Sequence, residues 1–134
     1  MRRATRRLTQ IYDHAMEAIG LTANQCSILA YLDAVAHSPA SAASIGAIAE
    51  WLAMDPSTLN RNLKPLEAKG LVKNLPDPAD ARVRIVRITE VGERTLQKAV
   101  SKWRSAQTQV EKALGPQATA ALNALLDDAA AKLR

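Results

Sequence analysis

The residues best placed to do chemistry run from Asp55 to Lys64, in the order Asp-Pro-Ser-Thr-Leu-Asn-Arg-Asn-Leu-Lys. Asp55 followed by Pro56 is a helix-start signal: a capping carboxylate, then a proline at the first helical position, where its missing N–H costs nothing. Wound at 100° per residue, Leu59, Leu63 and Leu66 fall within about 60° of one another and form a stripe to bury. Ser57, Thr58, Asn60, Arg61 and Lys64 occupy the remaining surface, a set of hydrogen-bonding side chains with two positive charges. Short polar groups of this kind allow close approach to base edges in a major groove, and Arg suits guanine or phosphate. Periodicity alone fits a merely solvated helix face as well.

Beyond this helix, residues 71–72 begin a short strand, residues 76–81 (Pro-Asp-Pro-Ala-Asp-Ala) read as a turn, and residues 83–88 are rich in β-branched residues and return as a second strand. Arg82, Arg84 and Arg87 make the return arm of this hairpin basic. Hairpin bases can reach the backbone or minor groove beside a helix lodged in the major groove.

Other chemistry finds little material. There is no Gly-rich phosphate loop, no nucleophile elbow and no metal-binding pair of His on one helix, so an enzyme is not expected and neither is a cofactor. His14, His37 and Cys26 are the only soft ligands, and their separations match no metal site. Cys26 is a candidate redox residue; set about one turn into its helix beside Ile28 and Leu29, it reads better as a small buried hydrophobe. Trp51 and Trp103 read as packing residues, and Asp127-Asp128 as a solvated helix face.

The elements that must position these groups are mostly helical. Ala makes up about a fifth of the 134 residues, which favours helix. Leu8, Ile11, Tyr12, Ala15 and Ile19 recur at helical spacing up to Gly20, a C-cap. Thr22 caps a second helix carrying Ile28, Leu29, Leu32 and Val35, and a loop is expected over 37–43. Ser44 caps a short third helix ending near Met54. The helix after Asp55 should kink or tighten at Pro65 and stop at Gly70. Thr89 caps a long helix over 90–113, Gly115-Pro116 ends it, and a last helix spans about 117–132. The expected fold is mainly α with a small β-hairpin wing: a winged helix-turn-helix with N- and C-terminal dimerisation helices.

Charge is uneven along this frame. The net charge is +5, yet residues 21–54 contain no Lys or Arg, whereas residues 55–87 carry seven basic residues against four acidic ones. Aromatic residues are 3% and Phe is absent, which leaves too little for stacking on unpaired bases and favours a duplex read in its grooves. One cysteine cannot form an intrachain disulfide, and neither a signal-peptide core nor a membrane-length apolar run is present. A soluble, cytoplasmic protein is expected.

The ordered motifs resemble the MarR-type (multiple antibiotic resistance regulator) transcription factors. The likeness covers nearly all of the chain from Leu21 onward. It rests on Leu21-Thr22-Ala23-Asn24-Gln25, on residues 54–63 and 66–72, on Asp77 and Asp80-Ala81-Arg82, and on Ile88-Thr89-Glu90-Val91-Gly92. It implies one domain over 1–134, with a DNA-binding core over 22–88 and dimerisation helices over 1–20 and 90–134. It further implies a homodimeric repressor on a pseudo-palindromic double-stranded operator, released by a small-molecule or oxidant signal. Ser57, Thr58, Asn60 and Arg61 fall at the family's major-groove positions, Arg82 at its minor-groove position, and Asp80 where the wing is fixed. Lys64 and Arg84 join them as DNA contacts. An effector pocket would draw on Ile11, Tyr12, Ala15, Ile28, Leu32 and Trp103, with a small aromatic or phenolic ligand. The alternative is a winged-helix protein-interaction module with only non-specific DNA affinity.

Overall fold

The computed structural model describes residues 1–37 and 43–133. The loop expected over 37–43 therefore lies, for residues 38–42, outside the described residues. The elements run α1 (Arg2–Met16), α2 (Ala23–Ala36), α3 (Ile45–Trp51), α4 (Pro56–Ala68), β1 (Val72–Pro76), β2 (Arg84–Ile88), α5 (Glu90–Leu114) and α6 (Pro116–Lys132), with a 3-10 turn at Glu17–Ile19.

Caps set these boundaries. Thr22 and Gln25 form a reciprocal capping box at the start of α2, and Asp13 Oδ1 on α1 accepts the Ala23 N–H at 2.7 Å, so α1 also helps to cap α2. Ser44, Asp55 and Thr89 each accept a backbone N–H from the first turn of the helix they precede. Gly20 (φ 70°) and Gly70 (φ 71°) reverse the chain in the left-handed region, and the next N–H reaches back to Met16 and Leu66 respectively. Ala53 does the same between α3 and α4 at φ 51°, with the Met54 N–H on the Ala49 carbonyl at 2.9 Å, although it has a Cβ. α4 runs unbroken through Pro65, and its last turn tightens where the Gly70 N–H bonds Glu67 at 2.9 Å.

Leu59, Leu63 and Leu66 of α4, Ile48 of α3, Ile28, Leu29 and Leu32 of α2, and Val72 and Val86 of the hairpin are buried together. The hairpin is antiparallel, pairing Val72 with Ile88 and Pro76 with Arg84. Its inner edge is fixed by the Val86 N–H, which donates to the Ala43 carbonyl at 2.8 Å. At its base, Gly92 lets the first turn of α5 close on β1, for a Cβ there would lie 2.1 Å from the Leu71 carbonyl oxygen.

The terminal helices are less complete. α6 packs along α5 and buries only Thr119, leaving Leu125 68% and Leu126 51% exposed. Among the described residues no helix is long and apolar enough to cross a membrane.

Candidate nucleic-acid interface

The buried leucine stripe of α4 fixes what the rest of the helix can present. Ser57, Asn60, Arg61 and Lys64 are exposed, and Thr58 is half-buried at their edge. Asp55, at the helix start, accepts the Thr58 N–H at 2.9 Å and the Thr58 hydroxyl at 2.6 Å, and the Ser57 hydroxyl also donates to it. These bonds, the Ser57 hydroxyl foremost, hold its carboxyl well below the usual carboxylate range. Arg61 Nη2 in turn donates to Thr58 Oγ1 at 3.2 Å, and Asn62 Nδ2 to the Thr58 carbonyl at 2.9 Å. Asn62 thus serves the helix, whereas Asn60 and Lys64 extend from it.

The hairpin carries the second group. Its tip is a pair of Asx turns: Asp77 Oδ1 accepts the Ala79 N–H at 2.9 Å and Asp80 Oδ1 the Arg82 N–H at 3.1 Å. Asp80 also takes the Arg82 guanidinium in a fork, Nε at 3.1 Å and Nη2 at 3.3 Å, and that side-chain pairing lowers its pKa. Arg82 nevertheless remains 91% exposed. Arg84 behaves differently. Its guanidinium folds across the hairpin onto Asn74, Nε to Oδ1 at 2.9 Å and Nη2 to the carbonyl at 3.2 Å. Lys73, which the sequence did not single out, sits directly opposite Arg87 of the basic return arm, both exposed, with no ion pair among the described residues. Strand alternation from Val72 could have revealed it. Like charges placed opposite destabilise a bare hairpin and are compensated by an anion.

Residues expected to form an effector pocket are separated by the structure. A cavity of about 730 Å³ opens between α1, α2, α5 and α6, and Tyr12 and Trp103 line it. Ile28 and Leu32 lie in the core instead, and Ile11 and Ala15 are outside the lining. The face of α2 that meets the cavity is Ala23, Cys26, Ser27 and Ala30, out of phase with its core stripe. Tyr12 donates to Gln107 Oε1 at 2.5 Å and stands 6.3 Å, centroid to centroid, from Trp103. Cys26 is 8% exposed, and burial, with Asp13 second, pushes its thiol up to about 11. Among the described residues no cluster of three His, Cys, Asp or Glu could hold a metal ion.

Comparison with known proteins places this geometry. Residues 19–83 match the model of the MarR family. MosR, a transcriptional regulator of M. tuberculosis solved in complex with DNA, is 34% identical with a TM-score of 0.76, the match covering 99% of this chain and 94% of that one. CouR of Rhodococcus jostii, a transcriptional repressor solved on a 23-mer DNA duplex, is 28% identical with a TM-score of 0.82, covering 96% and 88%. YxaD, an HTH-type transcriptional regulator of Bacillus subtilis, is 41% identical over 54 residues, which span 40% of this chain and 38% of YxaD. With the fold, the capped α4 and the basic hairpin all in place, the chain belongs to the MarR family of winged-helix transcriptional regulators and is not an enzyme.

Proposed function

We propose that the protein is a homodimeric repressor that grips a pseudo-palindromic operator with two copies of α4 and of the wing. The observation that carries this reading is the shared exposure of Ser57, Asn60, Arg61 and Lys64 on one helix with Arg82 at the neighbouring hairpin tip. In the bound state Ser57, Thr58, Asn60, Arg61 and Lys64 face the major groove. Arg82 enters the minor groove, where negative potential is concentrated, held in aim by Asp80. Arg84, folded on Asn74, reaches the adjacent backbone. Exposed Leu125 on α6, which lies outside the cavity, supports a second copy as the cover for the terminal helices. This assigns residues 22–88 to DNA and 1–20 with 90–134 to the dimer.

The cavity between those two parts suits a release signal, because a ligand there would bias how α1 and α5 seat on α2. Its walls are apolar with two aromatic rings, and no Lys, Arg or His side chain lines it among the described residues. A small aromatic or phenolic ligand fits these walls. Cys26, with a raised pKa and little exposure, favours this signal over an oxidant.

Selection of bound duplexes from a random pool tests the reading. The expected product is a two-fold symmetric sequence with half-sites about ten base pairs, or a multiple of that, apart. Enrichment of a sequence without dyad symmetry would contradict the homodimer.

A further inference from the structure

We propose that Asp55 is a specificity-determining positioning residue, which fixes the Ser57 hydroxyl as an acceptor towards DNA and so selects a base pair that presents an amino group there. This deepens the operator reading above and rests on it.

The argument begins with the caps. The N-cap residues of α2, α3 and α5 are hydroxyls, Thr22, Ser44 and Thr89, and the carboxylate that also caps α2, Asp13, comes from α1 and not from the start of the capped helix. The acidic N-cap belongs to the helix that faces a polyanion, where a negative charge is repelled by phosphates. Capping alone does not call for it, since Ser and Asn satisfy a first-turn N–H as well as Asp does. What Asp adds is a second acceptor oxygen and no hydrogen to give.

The structure uses both. Oδ1 accepts the Thr58 N–H and the Ser57 hydroxyl, while Oδ2 accepts the Thr58 hydroxyl at 2.6 Å. A carboxylate cannot donate, so each hydroxyl hydrogen must point at Asp55. Thr58 Oγ1 also accepts from Arg61 Nη2 at 3.2 Å, which leaves it nearly saturated and the guanidinium steadied. Ser57 keeps only lone pairs for the groove. Serine ordinarily reads donors and acceptors alike because its hydroxyl rotates. Here it accepts only, which matches the amino groups of cytosine or adenine and not guanine O6 or thymine O4.

The test uses full-length protein and duplexes selected by the wild type, with each base pair of a half-site replaced in turn and affinities read by anisotropy. The wild type is expected to discriminate by about fivefold or more at one position, amino-bearing base over carbonyl-bearing base, and Ser57→Ala to abolish that preference. Asp55→Gly still starts the helix but offers no oxygen, so the Ser57 hydroxyl is free to rotate. It should erase the same preference to within about twofold, hold random duplex at least as tightly as before, and change nothing further when combined with Ser57→Ala. Asp55→Asn is the control: its oxygen, kept on the Thr58 N–H, still accepts the Ser57 hydroxyl while its NH2 replaces Oδ2 opposite the Thr58 hydroxyl, so the preference should persist. Preference retained in Asp55→Gly or lost in Asp55→Asn, loss spread evenly over all positions, or an effect of Asp55→Gly that persists without Ser57 would each overturn the inference. A wild type that enriches no sequence would instead defeat the operator reading itself.

Discussion

Replacing Arg82 by Ala should weaken operator binding by about thirtyfold while leaving the fold almost untouched. The fork to Asp80 at 3.1 and 3.3 Å lies on an arginine 91% exposed and an aspartate 41% exposed, so solvent screens it. Exposed pairs of this kind contribute little to stability, and often nothing measurable. In the minor groove the same guanidinium meets concentrated negative potential, worth about 1 kcal/mol or more per wing. Two wings in a dimer give about 2 kcal/mol, and every 1.4 kcal/mol is tenfold in Kd. Removing two cations should also lower the slope of log K against log salt by about 2. Anisotropy titrations from low to physiological salt measure both quantities. An affinity and salt slope equal to wild type would refute the minor-groove assignment. Asp80→Ala separates aim from sequestration: the expected loss of affinity means that the fork pre-orients Arg82, and a gain would mean that it withholds it.

Three other outcomes follow from the packing. Gly92→Ala would put a Cβ 2.1 Å from a backbone oxygen that cannot swing aside, so it should cost about 3 kcal/mol or more and lower Tm by roughly 10 °C; a shift under about 2 °C in a thermal melt would contradict the close approach. Ala53→Gly should raise stability by about 0.5–1 kcal/mol, because relief of a left-handed alanine exceeds the added freedom of the unfolded chain, and denaturant unfolding that shows a loss would refute it. Cys26, whose thiol stays protonated up to about 11 against 9.0 when free, should alkylate at pH 8 about 100-fold more slowly than in the unfolded chain. The sign for stability follows: this raised pKa favours the fold fully below pH 9 and the gain is lost as pH rises towards 11, which pH-dependent unfolding would show.

The sequence made the elements legible where a local signal set them. Thr22, Ser44, Asp55 and Thr89 cap the helices that follow them, and Gly20 and Gly70 close the ones before. Ala53 escaped notice because nothing in an alanine announces a positive φ; the short link between two packed helices imposes it. Gly92 read as part of a motif, and its physical reason, the Leu71 carbonyl, lies far off in sequence, in the link between α4 and β1. On α4 the leucine stripe made the outward face readable. That Asp55 gathers two hydroxyls, and that Arg84 folds onto Asn74, are choices of rotamer that no periodicity contains. The cavity shows the same limit: α2 carries two apolar faces, and composition could not say that Cys26 and Ala30 would line the space while Ile28 and Leu32 filled the core.

The ratio of affinities for a selected operator and for random duplex of equal length, measured at physiological salt, decides whether the protein is a sequence-specific regulator. The operator is expected to bind about a thousandfold tighter or more, with the ratio falling in Arg61→Ala as base preference relaxes. Equal affinity for both duplexes, weak and strongly salt-dependent, would contradict it and point instead to a winged helix that binds protein.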